Sequence, residues 1–162
     1  MKLRTLAEPD EAALLELLTN DRIRQTYMLP VFPQREAAVP LARRLMQLSR
    51  DGSRFVRGME ENGTLVGFLN DVEIENGCIE LGYAVHPAHW GKGFATAALK
   101  LAMETLFRQG YREVICGAFE ENPASLRVME KAGMHQLNKT DSIEYLGRLH
   151  RCIYYAVRRE SI

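Results

Sequence analysis

Glu80 lies in a strand-like run, Ile79-Glu80-Leu81-Gly82-Tyr83-Ala84-Val85, whose large residues share one face. Its own-face neighbours, Gly82 and Ala84, are small. A carboxylate with room beside it for a ligand or a water could take up a proton. Pro87 ends the run, because it has no N–H to give a sheet ladder. Trp90 to Ala95 is then a glycine-rich turn, after which Ala95, Ala98, Leu99, Ala102 and Leu106 recur at helical spacing. Strand, glycine turn and helix together make an anion site. The first helical N–H groups have no internal partner, the helix dipole is positive there, and glycine brings the backbone close to a phosphate. The chemistry on offer is diphosphate binding beside a proton acceptor. The same glycines could serve only to turn the chain, and Glu80 could lie on a solvated face or in an ion pair. Two other nucleotide signatures fit poorly. Thr96 stands where the dinucleotide fingerprint needs its third glycine, and Gly91-Lys92-Gly93 lacks the Gly-Lys-Ser/Thr ending of a P-loop.

Trp90-Gly91-Lys92-Gly93-Phe94-Ala95 resembles the acyl-CoA pyrophosphate loop of the GNAT N-acetyltransferase superfamily, usually Arg/Gln-x-x-Gly-x-Gly/Ala. Gly93 and Ala95 fill the last two fixed places. Trp90 stands where Arg or Gln is usual, a form frequent in the branch that includes the ribosomal-protein N-terminal acetyltransferases. Glu121-Asn122-Pro123-Ala124-Ser125 and Val128-Met129-Glu130-Lys131-Ala132-Gly133-Met134 continue the resemblance. Two motifs in order are more specific than either alone.

The resemblance implies transfer of an acetyl group from acetyl-CoA to a primary amine by direct attack, with no metal. The acceptor would be a protein N-terminus or a small-molecule amine. The backbone of Trp90, Gly91, Lys92, Gly93, Phe94, Ala95 and Thr96 would meet the pyrophosphate; the Lys92 side chain could add charge or simply be solvated. The strand end from Tyr83 to Val85 would pair with the pantetheine arm, a backbone N–H near Val85 facing the oxyanion. Glu80 would take the amine proton, directly or through water. Asn122 would cap a helix and hold the arm, and Ser125 would return a proton to the sulfur. Many superfamily members use a tyrosine four residues after Ser125, where this chain has Met129; Tyr154 and Tyr155 are alternatives. Tyr27, Met28 and Phe32 are candidate acceptor contacts, or core residues. Glu120, Glu121 and Glu144 could attract a cationic amine. His86, His89, His135 and His150 lack metal-ligand spacing, although one of them could act as a base. The competing function is a non-catalytic acyl-CoA-binding module. Such modules usually lose the loop glycines or the catalytic groups, and Glu80, Gly93, Asn122 and Ser125 are all present.

At 162 residues the chain is expected to be one acetyltransferase domain, 1–162. Twenty-one basic residues balance 21 acidic ones, so nothing favours a nucleic-acid or membrane partner. No apolar run approaches a membrane span, and Met1 to Pro9 lack the apolar core of a signal peptide. Cys78, Cys116 and Cys152 read as reduced core thiols of a cytoplasmic protein. Monomer and homodimer are both compatible with the sequence.

The elements that must position these groups follow from periodicity and turn residues. Lys2 to Leu6 reads as a strand. Helices are expected from Glu8-Pro9-Asp10, over 21–28, over 34–50 with Pro40 as kink or true start, and over 123–132 capped by Asn122. Strands over 55–60 and 64–72 flank Asn62-Gly63, and Asn76-Gly77 turns into the strand of Glu80. Val114 to Phe119 would pair parallel to that strand across a right-handed crossover. Residues 134–138 and 151–157 are expected as a closing hairpin, with 139–150 as a long polar connection. The fold class is α/β (α+β): a mixed, mostly antiparallel sheet of six to seven strands, helices on both faces and one βαβ crossover at the glycine turn.

Overall fold

The computed structural model describes residues 1–161. Seven strands form one sheet: β1 (Lys2–Arg4), β2 (Val56–Glu61), β3 (Thr64–Glu75), β4 (Cys78–Val85), β5 (Glu113–Phe119), β6 (His135–Tyr145) and β7 (Arg148–Arg158). Their order across the sheet is β1-β2-β3-β4-β5-β7-β6. Every neighbouring pair is antiparallel except β4 and β5, which are joined by the helix α4 (Phe94–Arg108).

Helices cover both faces. On one, α4 and α5 (Pro123–Lys131) pack Leu99, Leu106 and Met129 against Met59, Leu69, Ile79, Leu81 and Val114. On the other, α1 (Glu11–Leu18), α2 (Asp21–Arg24) and α3 (Val39–Arg50) pack Leu14, Leu17, Ile23 and Met46 against Val56 and Phe68. Both layers bury apolar side chains completely, which is the main favourable contribution to the fold. No helix among the described residues is long and apolar enough to cross a membrane.

The expected elements are recovered with shifted ends. Pro40 marks the start of α3, following a 3-10 turn over Arg35–Ala38. Glu8–Asp10 is likewise a 3-10 turn leading into α1. The helix expected over 21–28 stops at Arg24, which frees Thr26 to Met28 to line a cavity. Cys116 and Cys152 are buried, whereas Cys78 is only half-buried.

The closing hairpin corrects one expectation. Residues 139–150 are not a connection: β6 runs on to Tyr145 and β7 begins at Arg148, with Leu146-Gly147 as the whole turn. Both turn residues have positive φ, +50° and +75°, like Asn62-Gly63 and Asn76-Gly77. Two-residue turns of this hand match the twist of the strands they join. Leucine occupies the place where asparagine usually signals the turn. As an edge strand exposed along most of its length, β6 also lacks the apolar alternation that marks a half-buried strand.

Candidate active site

The sheet is not zipped throughout. β4 and β5 pair from Cys78↔Glu113 to Leu81↔Cys116, and then the two strands separate. The β3 register fixes what faces the gap. His86 N–H donates to Val66 O at 2.8 Å, and Gly67 lies opposite Val85. Antiparallel pairs alternate between bonded and non-bonded, so Val85 is in a non-bonded pair and turns its N–H and C=O away from β3, towards the gap. Its carbonyl accepts the Trp90 indole Nε1–H at 2.6 Å, and the Arg22 guanidinium lies 4.6 Å from the centroid of that indole.

The glycine turn opens into the same gap. Gly91 and Gly93 have φ of +77° and +80°, and a Cβ on either would meet no atom within 4 Å. Glycine is therefore required for the left-handed backbone rather than for space. Ala97 N–H makes the first helical bond, to Gly93 O. Among the described residues, the six N–H groups from Gly91 to Thr96 donate to nothing. A cavity of about 350 Å³ lies beside them, lined by Val85, Trp90, Gly91, Gly93 and Phe94 to Thr96, with Arg127 and Lys131 from α5. These are the features of a diphosphate cradle: unpartnered donors at a helix N-terminus with cations opposite.

A second cavity, of about 370 Å³, continues from the first. The two share Thr26, Tyr83 and Ser125. At that neck the Tyr83 hydroxyl lies 2.6 Å from Ser125 Oγ and 3.3 Å from Ser125 O. Burial pushes the Tyr83 phenol upward, so it stays protonated. Ser125 is held on the first turn of α5, where Asn122 Oδ1 accepts its N–H at 3.4 Å.

Glu80 lines the second cavity, half-buried and with no hydrogen bond or ion pair among the described residues. Burial raises its carboxyl above the usual range, opposed by Lys139 and reinforced by Glu73 and Asp141. The space left by Gly82 is occupied: a Cβ there would lie 3.2 Å from both the Tyr27 ring and Asn70 Oδ1. Tyr27 donates to that Asn70 oxygen at 2.7 Å, and the pair becomes cavity wall. Asp71 is buried but satisfied, held by Arg54 at 2.7 and 3.0 Å and by Phe55 N–H at 3.2 Å. The floor is Phe119, Cys152 and Tyr154, and the Tyr154 hydroxyl donates to Asp141 at 2.8 Å. Ile143 of β6 also lines the cavity, and near it Tyr145 ties the hairpin end to the 24–29 segment, donating to Arg24 O at 2.7 Å and accepting from Leu29 N–H at 3.0 Å.

Several expected residues lie elsewhere. Phe32 packs against α1–α3 and lines neither cavity, whereas Tyr27 and Met28 line the second. The Lys92 side chain is exposed and outside the first cavity, which is the solvated alternative, and Asn122 caps α5 as expected. Tyr155 points to the opposite face, donating to Glu130 at 2.8 Å. Glu121 is tied to His150 and Arg148, which hold its carboxyl below the usual range, and Glu120 faces Arg151 at 3.8 Å. Sequence reasoning missed the Tyr83 side chain and the basic pair Arg127 and Lys131. The four-residue spacing of that pair puts both on one helix face and was a legible signal.

Comparison with known proteins bears on the family and the fold. Residues 1–135 match the family described as acetyltransferase (GNAT) domain. The chain is 29% identical over 142 residues to the uncharacterised protein YkkB of Bacillus subtilis, covering 83% of this chain and 81% of that one. Among solved structures, it superposes on RimL, a ribosomal alpha-N-protein acetyltransferase in complex with coenzyme A, with a TM-score of 0.86 at 22% identity, over 99% and 94% of the two chains. It superposes on spermidine N-acetyltransferase from Vibrio cholerae, in complex with CoA and spermine, with a TM-score of 0.82 at 19% identity, over 98% and 95%. At such identities these two likenesses speak for the fold.

Proposed function

The chain belongs to the GNAT acetyltransferase family, and from that premise we propose that it acetylates a primary amine by direct attack within a ternary complex. The observation that carries this reading is the meeting of two cavities at Tyr83 and Ser125, one beside six unpartnered amides and the other holding an unpaired carboxylate. The activities of the solved relatives, a spermidine N-acetyltransferase and a ribosomal alpha-N-protein acetyltransferase, support an amine acceptor.

Acetyl-CoA supplies the activated acetyl thioester. The amides from Gly91 to Thr96, with Arg127 and Lys131, hold its diphosphate, and the open edge of β4 takes its extended arm. Glu80 accepts the proton that the ammonium loses before attack, and burial makes it a better base. Val85 N–H faces the oxyanion as the N–C bond forms. As the C–S bond breaks, Ser125 gives its proton to the thiolate. Tyr83, 2.6 Å away, passes a proton back to Ser125, and the cycle closes as Glu80 releases its proton to solvent and solvent restores the phenol. The phenol thus fills the place left by Met129.

The test is twofold. Coenzyme A should raise the melting temperature, because it binds only the folded form. Acetyl-CoA should then be consumed in the presence of amines. Stabilisation without turnover on any amine or N-terminal peptide would mark a non-catalytic carrier-binding module instead.

A further inference from the structure

The second cavity carries information about the acceptor that the reaction class does not. Its polar side chains are almost all spoken for within the protein. Tyr27 bonds Asn70, Asn70 Nδ2 donates to Asp71 O at 3.2 Å, Asp71 is paired with Arg54, and Tyr154 bonds Asp141. Thr26 Oγ1 donates to Ile23 O at 3.1 Å, and Ser125 bonds Tyr83. Glu80 is the one lining charge left without a partner among the described residues. The rest of the wall is apolar or aromatic, and Met28 and Val72 stand on it 50% and 57% exposed.

We infer that the acceptor is a primary monoamine on an aliphatic or aromatic body, with no second charge or amide within the depth of the cavity. This rests on the reading of the site as an amine acetyltransferase. The physical argument is one of desolvation. An ammonium entering the cavity finds Glu80. A second ammonium, a carboxylate or the first peptide group of a protein N-terminus loses its water, finds no second unpaired charge, and meets side chains largely engaged with one another. An apolar body loses nothing by entering and gains contact with the aromatic floor. Glu73 and Asp141 lie near Glu80 but outside the lining, and Lys139, whose Nζ is 4.5 Å from the centroid of the Tyr154 ring, offsets them at that edge.

Hexylamine and 1,6-diaminohexane make a matched pair, sharing a six-carbon chain and differing by one terminal ammonium. With the full chain and saturating acetyl-CoA, kcat/KM for hexylamine should exceed that for the diamine and for a peptide N-terminus by about tenfold or more. Val72→Glu places a carboxylate on the exposed rim and should narrow or reverse the preference for the monoamine, whereas Val72→Gln should leave it in place. A wild-type protein that prefers the diamine, spermidine or a peptide overturns this inference and leaves the amine reading standing. Consumption of none of these acceptors brings down the amine reading, and the inference with it.

Discussion

Gly93→Ala separates the two tasks of the glycine turn. Gly93 is the N-cap of α4 at φ +80°, and a Cβ there meets nothing within 4 Å. No steric clash with protein contributes, so the cost to the free protein is the backbone conformation alone, about 1 kcal/mol. For a chain of this size that lowers Tm by roughly 2–4 °C. Binding is a separate matter, because the new methyl projects beside the amides. If it costs the diphosphate about 1.4 kcal/mol, affinity falls about tenfold. At coenzyme A one hundredfold above the wild-type Kd, linkage gives the wild type about 2.7 kcal/mol of added stability and the variant about 1.4. Thermal melts with and without ligand should therefore show a shift of about 5 to 11 °C for the wild type and about 3 to 6 °C for the variant. An undiminished ligand shift in Gly93→Ala would refute the cradle. An unchanged Tm without ligand would refute the need for a left-handed residue there.

Glu80→Gln should lower kcat/KM most at neutral pH and least at high pH, where the amine is already deprotonated; a pH–rate profile of unchanged shape would remove Glu80 as base. Because the folded protein raises this carboxyl, its ionised form opposes folding at neutral pH and the penalty disappears as pH falls through the carboxylate range. Denaturant unfolding should accordingly find Glu80→Gln more stable than wild type at pH 7, with the gain gone in acid. Ser125→Ala and Tyr83→Phe should each reduce kcat by about a hundredfold with little change in KM for acetyl-CoA, and the double variant should be scarcely worse than either, since they act in series; multiplicative losses in steady-state kinetics would contradict the relay. Leu146→Asn should raise stability by roughly 0.5–1 kcal/mol in chemical denaturation, because Leu146 is exposed at φ +50° and asparagine tolerates that region better; a loss of stability would mean that the leucine side chain matters to the turn.

The carrier side was legible in the sequence because it is built from backbone. A strand, two glycines and a helix occupy consecutive positions, so Ile79 to Phe107 announces both the fold and the proposed diphosphate site. The acceptor side was much less legible. Its walls come from Tyr27, Asn70, Glu80, Phe119, Ile143 and Tyr154, spread over more than 120 residues and brought together only by the sheet order. No local period marks such a set. Glu80 stood out as a carboxylate on a strand next to the glycine turn, although the room expected beside it at Gly82 is filled by Tyr27 and Asn70. Phe32 stayed open between acceptor contact and core, and packs on the helices, because an aromatic residue in a Pro-rich segment looks the same in either place. The β6–β7 hairpin was misread for two reasons: Leu146 sits where the turn chemistry calls for asparagine, and β6, exposed at the sheet edge, shows no apolar alternation.

The separation of β4 from β5 also changes what kind of edge the protein presents. Unpaired strand edges ordinarily invite foreign chains to add on, which is how sheets aggregate. Here the bare edge lies inside a narrow cleft, closed at its base by the rungs from Cys78 to Leu81 and plugged at Val85 O by the Trp90 indole. An edge bounded in this way, from Gly82 to Val85, offers a foreign strand few rungs to pair with, so the opening in the sheet adds little risk of self-association.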